Sequence, residues 1–264
     1  MPQATYSPAQ EACDRELAVA ADAMHEGRLD DADASLARAR EAADGCGAGD
    51  PRAAVVLHHL GILRGAQDRF AEALATMRDA VAAWERTVGP DDPHICSSLN
   101  ALGHMHSIVG ESEQALVPFR RCLAIWEKAR GPTHPIVAVS VHNLATQFAA
   151  LGRHAEAVPM YERAVRIEED ARGATHEGIA DTLDLWAESA AALGNETVAM
   201  ALLARARSIR GTDGPAAGAA GPEGHPSHAH PHAHGPAAGG CCGGGCGGDR
   251  RDERGRSDGD ALNY

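Results

Sequence analysis

An interval of 42 residues recurs along the chain, and it limits the fold more than any other feature of the sequence. Residues 88–129 and 130–171 follow the same pattern when they are aligned at that interval. Three series of small residues mark it: Gly89, Gly131 and Gly173; Gly110, Gly152 and Gly194; and Ala73, Ala115, Ala157 and Ala199. Repeats of this length are typical of solenoids, in which each unit buries its apolar face against its neighbours.

Each repeat has the pattern of two helices joined by a short turn. Leu116, Phe119, Leu123 and Trp126 fall on one face of a helix. The first glycine series is expected to end the long helices, where glycine can cap, and the second to mark the turn inside each pair. The register predicts five helix pairs at about 9–46, 52–87, 94–129, 136–171 and 178–210, the first of them one residue out of step.

The predicted fold class is all-α: a right-handed superhelical solenoid of about five antiparallel helix pairs over residues 9–210. Residues 1–8 are predicted to be a flexible N-terminus. Residues 211–264 are dominated by Gly, Ala, Pro, His and Asp. Such a composition cannot bury enough apolar surface to offset the entropy of ordering, so this tail is predicted to be disordered.

The repeat resembles a known family. Leu102, Gly103, Ala115, Phe119 and Cys122 match the pattern of the tetratricopeptide repeat. The 42-residue spacing, the GPxHP linkers and the helix starts SLNALG and SVHNLA resemble its kinesin-light-chain-like subtype over about residues 9–210. The resemblance implies a scaffold whose concave groove, lined by the first helix of each pair, binds a peptide or a partner protein. It does not imply motor transport, because many unrelated proteins share the subtype.

Polar side chains are expected along that groove. With the register above, the groove positions are His58, His59, Asn100, His104, His142, Asn143, Thr146, Asp184 and Glu188. The resemblance assigns Asn100 and Asn143 to the paired-asparagine position of the family, and a side-chain amide can both donate to and accept from a peptide backbone. The alternative is that these residues are solvated polar groups on a helix face.

The charge of the chain narrows the class of partner. The formal net charge is −13 and Lys128 is the only lysine, so the clustered basic surface that a nucleic acid requires is not expected. The first helices of the last three pairs carry no Lys or Arg, which argues against an acidic C-terminal tail as the ligand. A basic or polar ligand is expected instead. No nucleophile and base can be brought together from the sequence, so we expect neither an enzyme nor a required cofactor.

The sequence also predicts a compartment. No apolar run approaches the roughly 20 residues that span a bilayer, and the first residues lack the pattern of a signal peptide. Cys13, Cys46, Cys96 and Cys122 are scattered singly and suggest no disulfide framework. We therefore expect a cytoplasmic protein with reduced thiols and no membrane partner.

The tail carries a second functional signal, a set of metal-ligating side chains. These are His225, His228, His230, His232, His234, Cys241, Cys242 and Cys246. Neutral imidazoles and thiolates suit Ni, Zn or Cu, although the spacing is not that of a structural zinc motif. In composition, residues 225–248 are similar to the His/Cys-rich tail of SlyD-type nickel chaperones, whose prolyl-isomerase domain is absent here. That resemblance implies capture of nickel or zinc by the tail.

Two functions follow from these observations. The first is an adaptor whose groove binds a peptide or partner protein and whose tail is incidental. The second is a metal-handling protein whose tail captures or delivers Ni, Zn or Cu to a client docked on the solenoid.

Overall fold

The computed structural model describes residues 6–47 and 49–211, and this part of the chain contains ten helices and no strand. The helices are α1 (Pro8–His25), α2 (Leu29–Asp44), α3 (Arg52–Ala66), α4 (Phe70–Val88), α5 (Ile95–Ile108), α6 (Ser112–Arg130), α7 (Pro135–Ala150), α8 (His154–Arg172), α9 (Gly178–Ala192) and α10 (Glu196–Ile209). The predicted all-α solenoid of five helix pairs is confirmed. The predicted tail, 211–264, lies outside the described residues beyond Gly211.

The helices form five consecutive pairs, which we number units 1 to 5 (α1–α2, α3–α4, α5–α6, α7–α8 and α9–α10). Each helix packs against its partner within the unit and against the nearest helix of the next unit. First helices of successive units also contact each other directly, as α1 does α3, α3 does α5 and α7 does α9. Because the first helices lie this close together, they line the inner side of the solenoid.

Small residues let the two helices of a unit approach closely. The predicted alanine positions Ala73, Ala115 and Ala157 are fully buried, and Ala199 is nearly so. Facing them, Gly103 leaves room for the ring of Phe119, which is also fully buried. In unit 3, a small residue on the first helix thus makes room for a large one on the second, as close packing requires.

Two local features that recur with the repeat fix the connections between units: a glycine with a positive φ, and a hydrogen bond from a backbone N–H to a side chain. At the end of α4, α6 and α8, the glycine adopts a positive φ, 94° at Gly89 for example, which favours glycine over other residues. Three residues later in the pattern, a side chain accepts a hydrogen bond from the backbone N–H two residues further on. These acceptors are Asp50, Asp92, His134 and His176.

The second helices of neighbouring units are bridged by ion pairs. Arg121 pairs with Glu85 at 2.6 Å, Arg163 pairs with Glu127 at 2.6 Å, and Arg205 pairs with Glu169. Each arginine also donates to a carbonyl oxygen in the preceding connection, at Pro90, Pro132 and Ala174 respectively. These three contacts, which we call the Glu–Arg ladder, hold the outer helices in register along the solenoid.

Candidate functional site

All nine groove residues predicted within the solenoid lie on the first helices of units 2 to 5. Helix α3 contributes His58 and His59, α5 contributes Asn100 and His104, α7 contributes His142, Asn143 and Thr146, and α9 contributes Asp184 and Glu188. The helices place these residues in consecutive layers along one side of the molecule. Within each layer, however, the side chains serve two different purposes.

Some of them are used to join neighbouring units. The Nδ1 atom of His58 lies 3.1 Å from Ser98 Oγ, and the Nδ1 atom of His142 lies 2.9 Å from Thr182 Oγ1. Both contacts join a first helix to the first helix of the next unit, 40 residues later in the chain. We call these the junction histidines, because each ring is half-buried between two units rather than presented to solvent.

The equivalent residue of unit 3, Asn100, also points into a junction. Its Oδ1 atom is buried and has no hydrogen-bond partner among the described residues. Its side chain also makes a hydrogen bond to the Cys122 thiol of α6, so it is engaged inside its own unit rather than left free for the inner surface. Asn143, in contrast, lies one residue beyond the junction position and is half-buried at the surface.

The junction histidines are held in the neutral state. Burial, reinforced by the neighbouring His59, lowers the pKa of His58 to about 4. Burial is also the main cause that lowers the pKa of His142. A neutral imidazole has one donor and one acceptor nitrogen. The ring of His58 can therefore exchange a neutral hydrogen bond with a hydroxyl group at neutral pH.

Other predicted groove residues lie on the inner surface outside the junctions. His104 and Glu188 are exposed. The ring of His104 packs edge-on against the ring of Phe119, with 5.1 Å between the ring centroids. Thr146 accepts a hydrogen bond from the buried hydroxyl of Tyr161 at 3.3 Å and donates one to His142 O at 3.0 Å. The exposed inner surface is therefore polar and rests on an aromatic layer supplied by the second helices.

At the C-terminal end of the groove, the acidic residues are partly neutralised. Arg210 donates to Asp181 at 2.6 Å and lies 2.7 Å from Asp184 Oδ2. The sequence did not indicate this pairing, because Arg210 follows the last helix and its counterparts in units 2 and 3 are the tryptophans Trp84 and Trp126. Among the predicted acidic groove residues, Glu188 is the exposed one.

The partners of the junction histidines were also missed, although the sequence contained a signal for them. Ser98, Ser140 and Thr182 recur at the repeat interval, and each is buried despite its hydroxyl group. A buried hydroxyl requires a hydrogen-bond partner. A search for recurring polar residues would have paired Ser98 with His58 and Thr182 with His142. Ser140, which follows Asn100 at the same spacing, lies 3.7 Å from Cys122 Sγ instead.

The predicted metal ligands, His225 to Cys246, lie outside the described residues. Within residues 6–47 and 49–211, no group of three or more His, Cys, Asp or Glu side chains is arranged to hold a metal ion. In the same part of the chain, none of the ten helices combines the length and the apolar character needed to cross a bilayer. Three of the four cysteines in this part, Cys13, Cys96 and Cys122, are buried as free thiols.

Comparison with known proteins gives a consistent picture. The family model of the tetratricopeptide repeat matches four overlapping stretches, residues 16–86, 53–128, 95–169 and 137–211. No curated protein matches the sequence closely enough to count as a relative.

Several solved structures share the fold. Nearly identical TPR-like repeats of a kinesin light chain from Podosopora anserina superpose with a TM-score of 0.68 at 22% identity, covering 80% of this chain and 100% of that one. BtubC (BKLC) from P. vanneervenii gives 0.70 at 18% identity, with 83% and 87% covered. YrrB, described as a TPR protein with an unusual peptide-binding site, gives 0.52 at 16% identity, with 78% and 94% covered.

Proposed function

The chain belongs to the tetratricopeptide repeat family, and on that premise we propose that it is an interaction scaffold whose inner surface binds an extended, basic or polar peptide segment of a partner protein. The observation that carries this proposal is the division of labour along the first helices. Side chains at the junction position are used between units, whereas His104, Asn143 and Glu188 lie at the surface on three successive first helices. A binding role, rather than a catalytic one, suits such a surface.

The charge of the surface supports a basic or polar ligand. Helices α5, α7 and α9 contain no Lys or Arg, whereas α9 contributes Asp181, Asp184 and Glu188. A peptide carboxylate would find no cation on these helices. An arginine or lysine of a peptide would find Glu188, and a peptide backbone would find the amide of Asn143.

A peptide selection on the full-length protein tests the proposal. Random peptides displayed on phage are selected against the protein, and the recovered sequences are measured again with four variants. We expect enrichment of Arg and Lys, and at least about tenfold weaker binding for Glu188→Lys, equivalent to about 1.4 kcal/mol. Asn143→Ala is expected to weaken binding less, because it removes neutral hydrogen bonds rather than a charge.

Two variants on the second helices serve as matched controls. Asp170→Lys reverses an exposed charge on α8, and Gln114→Ala removes an exposed amide on α6. Neither is expected to change peptide binding. Enrichment of acidic peptides, or equal loss of binding in the inner and outer variants, would contradict the assignment of the groove.

The metal-handling alternative remains a second proposal, because the sequence of the tail favours it. Five histidines and three cysteines fall within residues 225–246, whereas the described part of the solenoid offers no comparable cluster. A calorimetric titration of Ni²⁺ and Zn²⁺ into the reduced full-length protein, and into a chain ending at Gly211, separates the two. The shortened chain retains all ten described helices.

Binding confined to the full-length protein would support metal capture by the tail. A full-length variant with His228, His230, His232 and His234 changed to alanine should then lose most of it. If the full-length protein and the shortened chain gave equally weak heats of metal binding, the tail would have no role in binding metal. The cytoplasmic location stays a prediction that fits a scaffold with reduced thiols.

A further inference from the structure

The C-terminal end of the solenoid exposes apolar side chains that are buried elsewhere in the repeat. On α10, the exposed fractions of Met200 and Leu203 are 70% and 39%. The equivalent residues of unit 3, Leu116 and Phe119, are exposed by only 2% and 0%. Those two pack in one cluster with Leu144, which belongs to the first helix of the next unit. The end of α10 therefore has the shape of a site for a first helix.

The N-terminal end has the complementary feature. Val19 of α1 is 45% exposed. Its equivalents in the following units, Leu60, Leu102 and Leu144, are at most 9% exposed. In the interior, this residue is covered by the second helix of the preceding unit, as Leu102 is by Leu74 and Met77. The two ends of the molecule thus hold the two halves of one internal junction.

The polar contacts of the internal junctions can be mapped onto the two ends of the solenoid. The residues that would meet there carry opposite charges. His142 meets Thr182 of the next unit at 2.9 Å. At the C-terminal end the equivalent of His142 is Asp184, and at the N-terminal end the equivalent of Thr182 is Arg15. The Arg15 side chain is 69% exposed. Stacking one copy on another would therefore place a carboxylate of one against a guanidinium of the other.

A second internal contact gives the same result. Trp84, at the end of α4, stacks on His94 of the next unit with 5.8 Å between ring centroids. The equivalents at the two ends are Arg210 and Glu11, again of opposite charge. Arg210 already pairs with Asp184. The transferred contacts would thus form a row of four alternating charges, in the order Arg15, Asp184, Arg210 and Glu11.

We propose that this protein associates with itself head to tail, with α1 of one copy seated on α9 and α10 of the next as if it began a sixth unit. The occupant is a second copy because one surface of this chain supplies the apolar residue, the cation and the anion that the other surface lacks. A head-to-tail contact uses two different surfaces and does not close on itself after two copies. The association therefore continues into linear stacks, and it lengthens the inner surface.

Sedimentation velocity of the full-length protein over a range of concentrations tests the proposal. We expect the average mass to rise past that of a dimer as concentration increases, and to fall at high salt, which screens the four charges. Val19→Asp and Leu203→Asp, each measured alone, should weaken association by at least about tenfold, because a charge would be buried without a partner. Arg15→Glu should weaken it as well, by placing two carboxylates together.

Mixing the two apolar variants makes the test decisive. A chain with Val19→Asp keeps an intact C-terminal end, and a chain with Leu203→Asp keeps an intact N-terminal end. Their equimolar mixture should form dimers and stop there, whereas neither variant associates alone. Val117→Asp, at a comparably exposed apolar residue of α6 (69%), is the control and should associate like the unmodified protein. Circular dichroism checks that every variant is folded.

Three outcomes would overturn the proposal. The first is a monomer at all concentrations. The second is a dimer that survives Val19→Asp, which would show a symmetric contact between two C-terminal ends. The third is a monomeric full-length protein whose shortened form, ending at Gly211, associates. That result would assign the site on α10 to the chain's own tail.

Discussion

A Cβ atom added to Gly103 would lie 2.6 Å from Cζ of Phe119, closer than two carbon atoms can approach without one of them moving. The ring of Phe119 is fully buried and has little space in which to move. In unit 4 the equivalent pair is Ala145 and Tyr161, both fully buried, so the same contact between the two helices accommodates a methyl group there. In unit 3, the ring of Phe119 occupies that space instead.

Gly103→Ala should therefore destabilise the protein. Overpacking costs about 1–3 kcal/mol, whereas the better helix propensity of alanine returns about 1 kcal/mol. We expect a net loss of about 1 kcal/mol in urea denaturation. Gly65→Ala is the matched control, because its Cβ would meet only the flexible end of Met105. If both variants were equally stable, the close approach at Phe119 would not limit the packing of this unit.

The Glu–Arg ladder should contribute coupled free energy. A double-mutant cycle on Glu127→Ala and Arg163→Ala is expected to give about 1 kcal/mol of interaction, at the upper end for partly exposed pairs, because the arginine also donates to Pro132 O. The pair formed by Arg166 and Glu162 within α8 is the control, at about 0.3–0.5 kcal/mol. Equal coupling energies would mean that the ladder adds nothing beyond an ordinary helix-surface pair.

The contact between units 1 and 2 depends on Arg52. Its guanidinium donates to both oxygens of Asp14 at 2.7 Å and to Asp50, and its side chain is only 11% exposed. Arg52→Ala would leave the nearly buried carboxylate of Asp50 without its cation, so we expect a loss of about 2–3 kcal/mol in thermal or urea unfolding. Arg28→Ala, which removes an exposed arginine paired with Glu26 and Asp31, should change stability much less, because solvent screens an exposed ion pair.

Stability should fall as the pH drops from neutral toward 4. Burial lowers the pKa of His58 from 6.5 to about 4, so the unfolded chain takes up a proton through this range more readily than the folded one. The free energy of unfolding consequently decreases with decreasing pH, by at most about 3 kcal/mol from this residue. His58→Asn, which places the unit 3 residue in unit 2, should flatten the profile between pH 7 and 5. An unchanged slope in urea titrations over that range would contradict a neutral, buried His58.

The sequence predicted the fold well because its information is periodic. Recurring Gly110, Gly152 and Ala115 specify turns and close contacts that depend only on neighbours within one unit. The fate of the groove residues was less predictable. Whether His58 or Asn143 reaches solvent depends on how the next unit is rotated, and no single unit encodes that angle. Arg210 shows the same limit, because its partners Asp181 and Asp184 are close only when the last pair is folded.

The carbonyl groups between units have a consequence for how the chain is made. Arg121, Arg163 and Arg205 each lie 31 residues after the carbonyl that they cap. During synthesis, a connection emerges well before the arginine that completes it. The hydrogen bond that each of these arginines makes can therefore form only after the outer helix of the following unit has been synthesised. Units 2, 3 and 4 are each completed in this way by the unit that follows.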